Sequence, residues 1–210
     1  MTAMADEFTI QPDVTPEMVW IDLETTGLRP EDRILEVGLK VTNRWGDEAG
    51  RFACVVGYSD AMVSGHWLSD KALGPVVHAM HTKNGLIDEV LAHSARVANN
   101  PRCGRARPDV ETRALEFLME VFGGMPDHRF PMAGASVQFD RAALRVQMPR
   151  LHNWFHYRQY DVSTILGLAT MSGHHPDDTV RKRDIHRAIP DIEDEITVHK
   201  WAMSNLVARV

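Results

Sequence analysis

The sequence predicts an α/β domain, a mixed five-stranded sheet flanked by helices. Three observations carry that prediction. Short apolar runs closed by turn residues dominate the first sixty positions. Helical spacing then takes over and alternates with two further strand-like segments. The composition is ordinary for a globular domain, with 210 residues, 44% hydrophobic and 25% charged. That length fits one domain with a sizeable core. No repeat, low-complexity tract or Gly/Ser linker divides the chain.

Residues 1–17 are polar, carry Pro12 and Pro16, and read as a flexible lead-in to a domain over 18–210. Met18-Val19-Trp20-Ile21-Asp22-Leu23 is an apolar run closed by Thr25-Thr26-Gly27, the pattern of a buried strand ending in a turn. Ile34 to Val41 and Arg51 to Tyr58 read as two more strands, with turn residues Asn43 to Asp47 between them. Leu86, Ile87, Val90 and Leu91 have amphipathic helical spacing after Asn84-Gly85. Asn99 to Pro108 is a basic, breaker-rich loop, with Arg102, Arg105 and Arg107 over 102–107. Asp109 suits the cap of a helix whose Val110, Ala114, Leu115, Leu118 and Phe122 recur at three and four residues. Phe130 to Ala135 reads as a strand and Phe139 to Met148 as a helix. Tyr160-Asp161-Val162 is short and extended, and Ser163 or Thr164 suits the cap of Ile165 to Met171. A last helix is expected from about Ile192 to Val207.

Charge excludes one class of function. Lys and Arg total 23 against 29 Asp and Glu, a formal net of −6. A protein that holds long nucleic acid by neutralising phosphates needs a basic surface. No apolar run approaches the ~20 residues of a membrane span, and Met1 to Glu7 lacks the basic-then-apolar pattern of a signal peptide. Cys54 and Cys103 form neither a disulfide framework nor a zinc pattern, which suits a reducing, cytoplasmic setting.

Asp22 and Glu24 stand two apart on a predicted strand, so both carboxylates project from one face. Such a pair repels itself unless a cation lies between, and a divalent metal is the natural partner. The spacing alone does not discriminate. Asp-x-Glu should occur about once by chance in this length, and it occurs three times, at Asp22, Asp109 and Asp191. Context separates the first copy, which sits in an apolar run, whereas Asp109/Glu111 suits a helix N-terminal turn. Asp140 follows the small residues Ala133-Gly134-Ala135-Ser136 and reads equally as a ligand or a helix cap. His186/Asp191 and His156/Asp161 are two pairs with the same five-residue spacing. Pro190 is tolerated only near a helix start, which places Asp191 in the first turn of the last helix. Phosphate loops, nucleophile elbows and paired zinc cysteines are absent.

Taken together, Asp22-Leu23-Glu24-Thr25-Thr26-Gly27-Leu28, Asp140, and His186 with Asp191 resemble the three motifs of the DEDDh 3′–5′ exonucleases, in order and spacing. Trp20 to Glu24, Met80-His81-Thr82-Lys83-Asn84-Gly85-Leu86, Phe155-His156-Tyr157-Arg158, Asp161-Val162-Ser163-Thr164 and His186-Arg187-Ala188 resemble the oligoribonuclease branch. The likeness runs over roughly residues 18–205. It implies a ribonuclease H-like fold and hydrolysis of very short RNA, with short DNA as a second candidate substrate, to nucleoside 5′-monophosphates. It implies two Mg²⁺ or Mn²⁺ ions held by Asp22, Glu24, Asp140 and Asp191, with His186 as general base. By the same likeness Leu28 wedges against the bases and His81 contacts substrate. Ser136, Arg158, Ser163 and Thr164 surround the 5′ phosphate, and Tyr157 or Arg158 is supplied across a homodimer interface. An exonuclease of the proofreading or trimming type, acting on longer DNA or RNA, is the alternative. It shares the metal site but lacks the phosphate-capping set. Thr25-Thr26 stands where oligoribonucleases more usually have Met-Thr, and the basic loop looks like an addition.

Overall fold

A computed structural model describes residues 8–60, 65–176, 180 and 183–206. Among these, six strands form one mixed sheet: β1 (Phe8–Ile10), β2 (Met18–Thr25), β3 (Ile34–Thr42), β4 (Glu48–Val55), β5 (Met132–Gly134) and β6 (Gln159–Asp161). Their spatial order is β1-β4-β3-β2-β5-β6. β2, β3 and β4 run antiparallel as a meander, while β5 and β6 lie parallel to β2.

The sheet therefore has six strands rather than the expected five. The sixth, β1, comes from the segment read as a lead-in, where Phe8 pairs with Phe52 and Ile10 with Gly50. Phe8 also packs on Phe117 at 5.8 Å between ring centroids. A three-residue edge strand carries almost no local signal, since its partners lie forty residues away. Residues 1–7 of the expected lead-in and Val207 of the expected last helix lie outside the described residues.

Eight α-helices follow among the described residues. A short 3₁₀ turn at Gly65–Leu68 leads to α1 (Asp70–Leu73), α2 (Pro75–Lys83) and α3 (Leu86–Asn99). Then come α4 (Arg107–Val121), α5 (Gln138–Gln147), α6 (Pro149–Trp154), α7 (Val162–Met171) and α8 (Ala188–Asn205). None is long and apolar enough to cross a membrane. Two caps differ from expectation. Asp109 lies in the first turn of α4, not at its cap, because Pro108 occupies the start where a missing N–H costs nothing. Asp161, not Ser163 or Thr164, caps α7 by accepting from the amides of both.

The period-two alternation of β2 sorts the molecule into two layers. Val19, Ile21 and Leu23 enter the main core with Val37, Leu39, Phe52, Phe117, Leu118 and Leu144. Each fully buried side chain of that size contributes about 1.5–3 kcal/mol. Trp20 faces the other way, into a second cluster with Ile192 and Ile196 of α8. Asp22 and Glu24 share that second face. The basic loop is docked rather than free: the Gly57 amide donates to the Arg105 carbonyl at 2.8 Å. The Arg105 guanidinium lies 3.4 Å from the Cys54 sulfur.

Candidate active site

The site begins at the C-terminal end of β2, where β2, β5 and β6 run parallel. Across the β2–β3 ladder Asp22 faces Gly38 and Glu24 faces Glu36. Gly38 is what admits α8: a Cβ there would stand 2.5 Å from the Ala188 Cβ, so only glycine lets the helix start this close to the sheet. Asp191 falls in the first turn of that helix, three residues after Ala188. Ligand atoms of Asp22, Glu24 and Asp191 lie within 4.8 Å of one another.

Asp140 joins them from α5. Its Oδ1 accepts from the Leu23 amide at 2.9 Å, tying the helix to the strand between Asp22 and Glu24. Asp140 is thus not the helix cap, since it lies inside α5 and bonds to β2. Burial, then the charges of Asp140, Glu195, Glu24 and Asp191, hold the Asp22 carboxyl well above the usual carboxylate range. Asp22 Oδ2 is buried and has no hydrogen-bond partner. A buried oxygen among like charges fits a hard divalent cation, and every donor in the group is oxygen.

Glu36 would add a further negative charge opposite Glu24, and like charges facing across a ladder destabilise it. Arg187 neutralises it. Its Nε and Nη2 donate to the two Glu36 oxygens at 3.0 and 2.9 Å. Two further bonds reach Glu89 of α3 at 2.9 and 3.1 Å. These bonds hold the loop that carries His186. Asp184 and His186 both have left-handed backbone, with φ of 56° and 54°. Such strain persists only where surroundings over-determine it, and Asn84 adds to the clamp by donating to the carbonyls of Ile185 and His186.

His186 Nε2 lies 2.6 Å from Asp184 Oδ1. It lines a cleft of about 530 Å³ with Val76, Met80, Lys83, Arg183 and Ile185. His81 is fully buried, with Nε2 donating to the Thr25 carbonyl at 3.1 Å and lying 3.9 Å from Glu24 Oε2. Burial above all holds its pKa below the ordinary histidine value.

The remaining residues form two groups. Ser136, Ser163 and Thr164 meet at the N-terminus of α7, where Asp161 Oδ1 accepts from all three amides at 3.2, 2.8 and 3.4 Å. Ser136 Oγ stands 3.3 Å from Ser163 Oγ, on a backbone with φ of 52°. Tyr157 is 75% exposed, with the Arg158 guanidinium over its ring at 5.7 Å. Leu28 is exposed beyond the turn that ends β2. Of the His/Asp pairs with equal spacing, Asp191 enters the carboxylate group, while Asp161 is spent on the α7 cap.

Curated relatives match nearly the whole chain. An oligoribonuclease of Nitrosomonas europaea is 35% identical over 191 residues, 90% of this chain and 94% of the relative. One from Aromatoleum aromaticum is 31% identical over 195 residues, 92% of this chain and 96% of the relative. The chain belongs to the oligoribonuclease family. As an oligoribonuclease-family protein it is a 3′–5′ exonuclease. No protein-family model matches the chain. Among solved structures, the zinc-bound form of the Escherichia coli ExoI–ssDNA complex superimposes with a TM-score of 0.55 at 12% identity. A structure of exonuclease I does so with a TM-score of 0.54 at 12% identity. Each match covers 89% of this chain and 40% of the other. These likenesses place the oligoribonuclease-family chain in the ribonuclease H-like fold.

Sequence reasoning missed Glu195, Asn84, Glu36 and Asp184. Glu195 alone had a local signal, standing one helical turn after Asp191 on the same face. The others act through contacts made only in the fold.

Proposed function

We propose that the protein hydrolyses very short oligoribonucleotides from the 3′ end to nucleoside 5′-monophosphates, using two divalent ions. The observation that carries this reading is the convergence of Asp22, Glu24 and Asp191 within 4.8 Å at the strand ends. With Asp140 they would hold two Mg²⁺ or Mn²⁺. Bound there, the ions supply charge stabilisation to the attacking and leaving oxygens of an in-line displacement.

The protein's own residues do the rest. His186 takes a proton from the attacking water as the new P–O bond forms and the P–O3′ bond breaks. A carboxylate only accepts, so the Asp184 contact sets the proton on Nε2 and leaves Nδ1 as the basic nitrogen. His81 holds the turn after Glu24 through Thr25 and borders the substrate path. The hydroxyls of Ser136, Ser163 and Thr164, with Arg158, receive the 5′ phosphate, which limits substrate length. Leu28 packs against a base, and Tyr157 or Arg158 completes the site of a partner copy in a homodimer. Two cysteines that make neither a disulfide framework nor a zinc pattern agree with action in the cytoplasm.

Purified protein with Mg²⁺ should release mononucleotide from a labelled RNA dinucleotide and stop on chelation. Metal ions supply several kcal/mol of transition-state stabilisation, so Asp22→Ala should lose about a thousandfold in rate with its circular dichroism unchanged. Ordinary turnover by that variant would overturn the metal assignment.

A further inference from the structure

Glu195 lies in α8, four residues after Asp191, so both carboxylates leave one face of the helix. It is 5% exposed, and its Oε1 accepts from the Ala135 amide at 2.9 Å. The position of Ala135 fixes what Glu195 faces. β5 runs parallel to β2, with Val19 opposite Met132 and Trp20 opposite Ala133. Two residues further along that register, Ala135 is level with Asp22. A Cβ on Gly134 would lie 3.0 Å from the Ile21 carbonyl, which confirms how closely the two backbones run there. Thus a carboxylate anchored on the Ala135 amide stands beside the Asp22 carboxylate, whose Oδ2 is buried with no hydrogen-bond partner.

We propose that Glu195 is a fifth carboxylate of the cation site, placed by its bond to Ala135 to add negative charge beside Asp22 and tighten divalent-ion binding. This rests on the two-ion reading above and goes beyond it, since the four acids of the family motifs do not include this residue. An ordinary helix-to-strand anchor would need only an acceptor for the Ala135 amide, which a neutral amide oxygen supplies. A full charge held beside Asp22 opposes the Asp22 charge in the ion-free protein, and a cation reverses that penalty.

Glu195→Gln separates the two roles, because it keeps the acceptor and removes the charge. Calorimetric titration of the ion-free protein with Mg²⁺ and then Mn²⁺ reads the effect. Groups that support metal ligands typically affect affinity 10–100-fold, so Kd should rise about tenfold in Glu195→Gln. Its ion-free Tm should equal or exceed that of the unmodified protein, and its Tm gain on saturation with Mg²⁺ should shrink. Glu195→Ala, which also loses the Ala135 anchor, should have a lower ion-free Tm. Unchanged Mg²⁺ affinity in Glu195→Gln would overturn the inference while leaving the two-ion reading intact. So would a Glu195→Gln that matches Glu195→Ala in both Tm and affinity. An unmodified protein that binds neither ion would overturn the two-ion reading and this inference with it.

Discussion

Asp22 stands where burial and four neighbouring carboxylates all oppose its charge. A residue so placed destabilises the ion-free chain, and the proposed divalent-ion site would account for it. His186 shows a related compromise, because left-handed backbone at both His186 and Asp184 is held in place with the help of the Asn84 and Arg187 contacts. General-base catalysis contributes roughly 10²–10⁴-fold. His186→Ala should lose at least 10²-fold at neutral pH by that measure; an undiminished rate would remove the base role. Away from the site, His93 governs behaviour in acid. Burial first, then Arg105 and Arg96, lowers its pKa from 6.5 to about 4. The unfolded chain therefore binds a proton before the folded one does. This stability is fully present above about pH 6.5 and is lost progressively as pH falls toward about 4. Urea midpoints should decline over that window, and His93→Gln should flatten the decline.

At the scale of elements, the approach of α8 to β3 decides whether the site assembles. The close contact of Gly38 with Ala188 sets it, and Lys40 reinforces it by pairing with Glu48 at 2.9 Å and Glu193 of α8 at 3.3 Å. Overpacking typically costs about 1–3 kcal/mol. Gly38→Val should lower stability by that amount in urea unfolding and weaken Mg²⁺ binding with it, since Asp191 moves with the helix. Wild-type affinity in that variant would show that α8 is not positioned by this contact. The elements that carry these residues were largely legible in the sequence. The apolar run around Asp22 marked β2, and Pro190 placed Asp191 in a first turn, because both signals are local. β1 and the Asp161 cap were not legible. The Phe8 strand depends on pairing with Phe52 far along the chain, and Asp161 became the cap because β6 delivers it to the start of α7. His186, Asp191 and Asp22 could be grouped only through a family resemblance, since their spacing also fitted His156 and Asp161.

The whole molecule carries a formal charge of −6, which argues against a track for long nucleic acid. Two divalent ions would add four positive charges and bring that value to about −2, still a net negative charge. Within the basic loop, Arg105 is turned onto Cys54 and Arg107 begins α4, while Arg102 is exposed. On the proposed reading, recognition comes from the ends of a short substrate, between the carboxylates at one side and the Ser136, Ser163 and Thr164 hydroxyls at the other. The direct measurement is the initial rate on 5′-labelled two-, five- and twenty-nucleotide RNA and DNA at equal 3′-end concentration in Mg²⁺. A length-limited site predicts the RNA dinucleotide cleaved at least about tenfold faster than the twentymer, the worth of one or two good phosphate contacts. Equal or faster cleavage of the twentymer would contradict it.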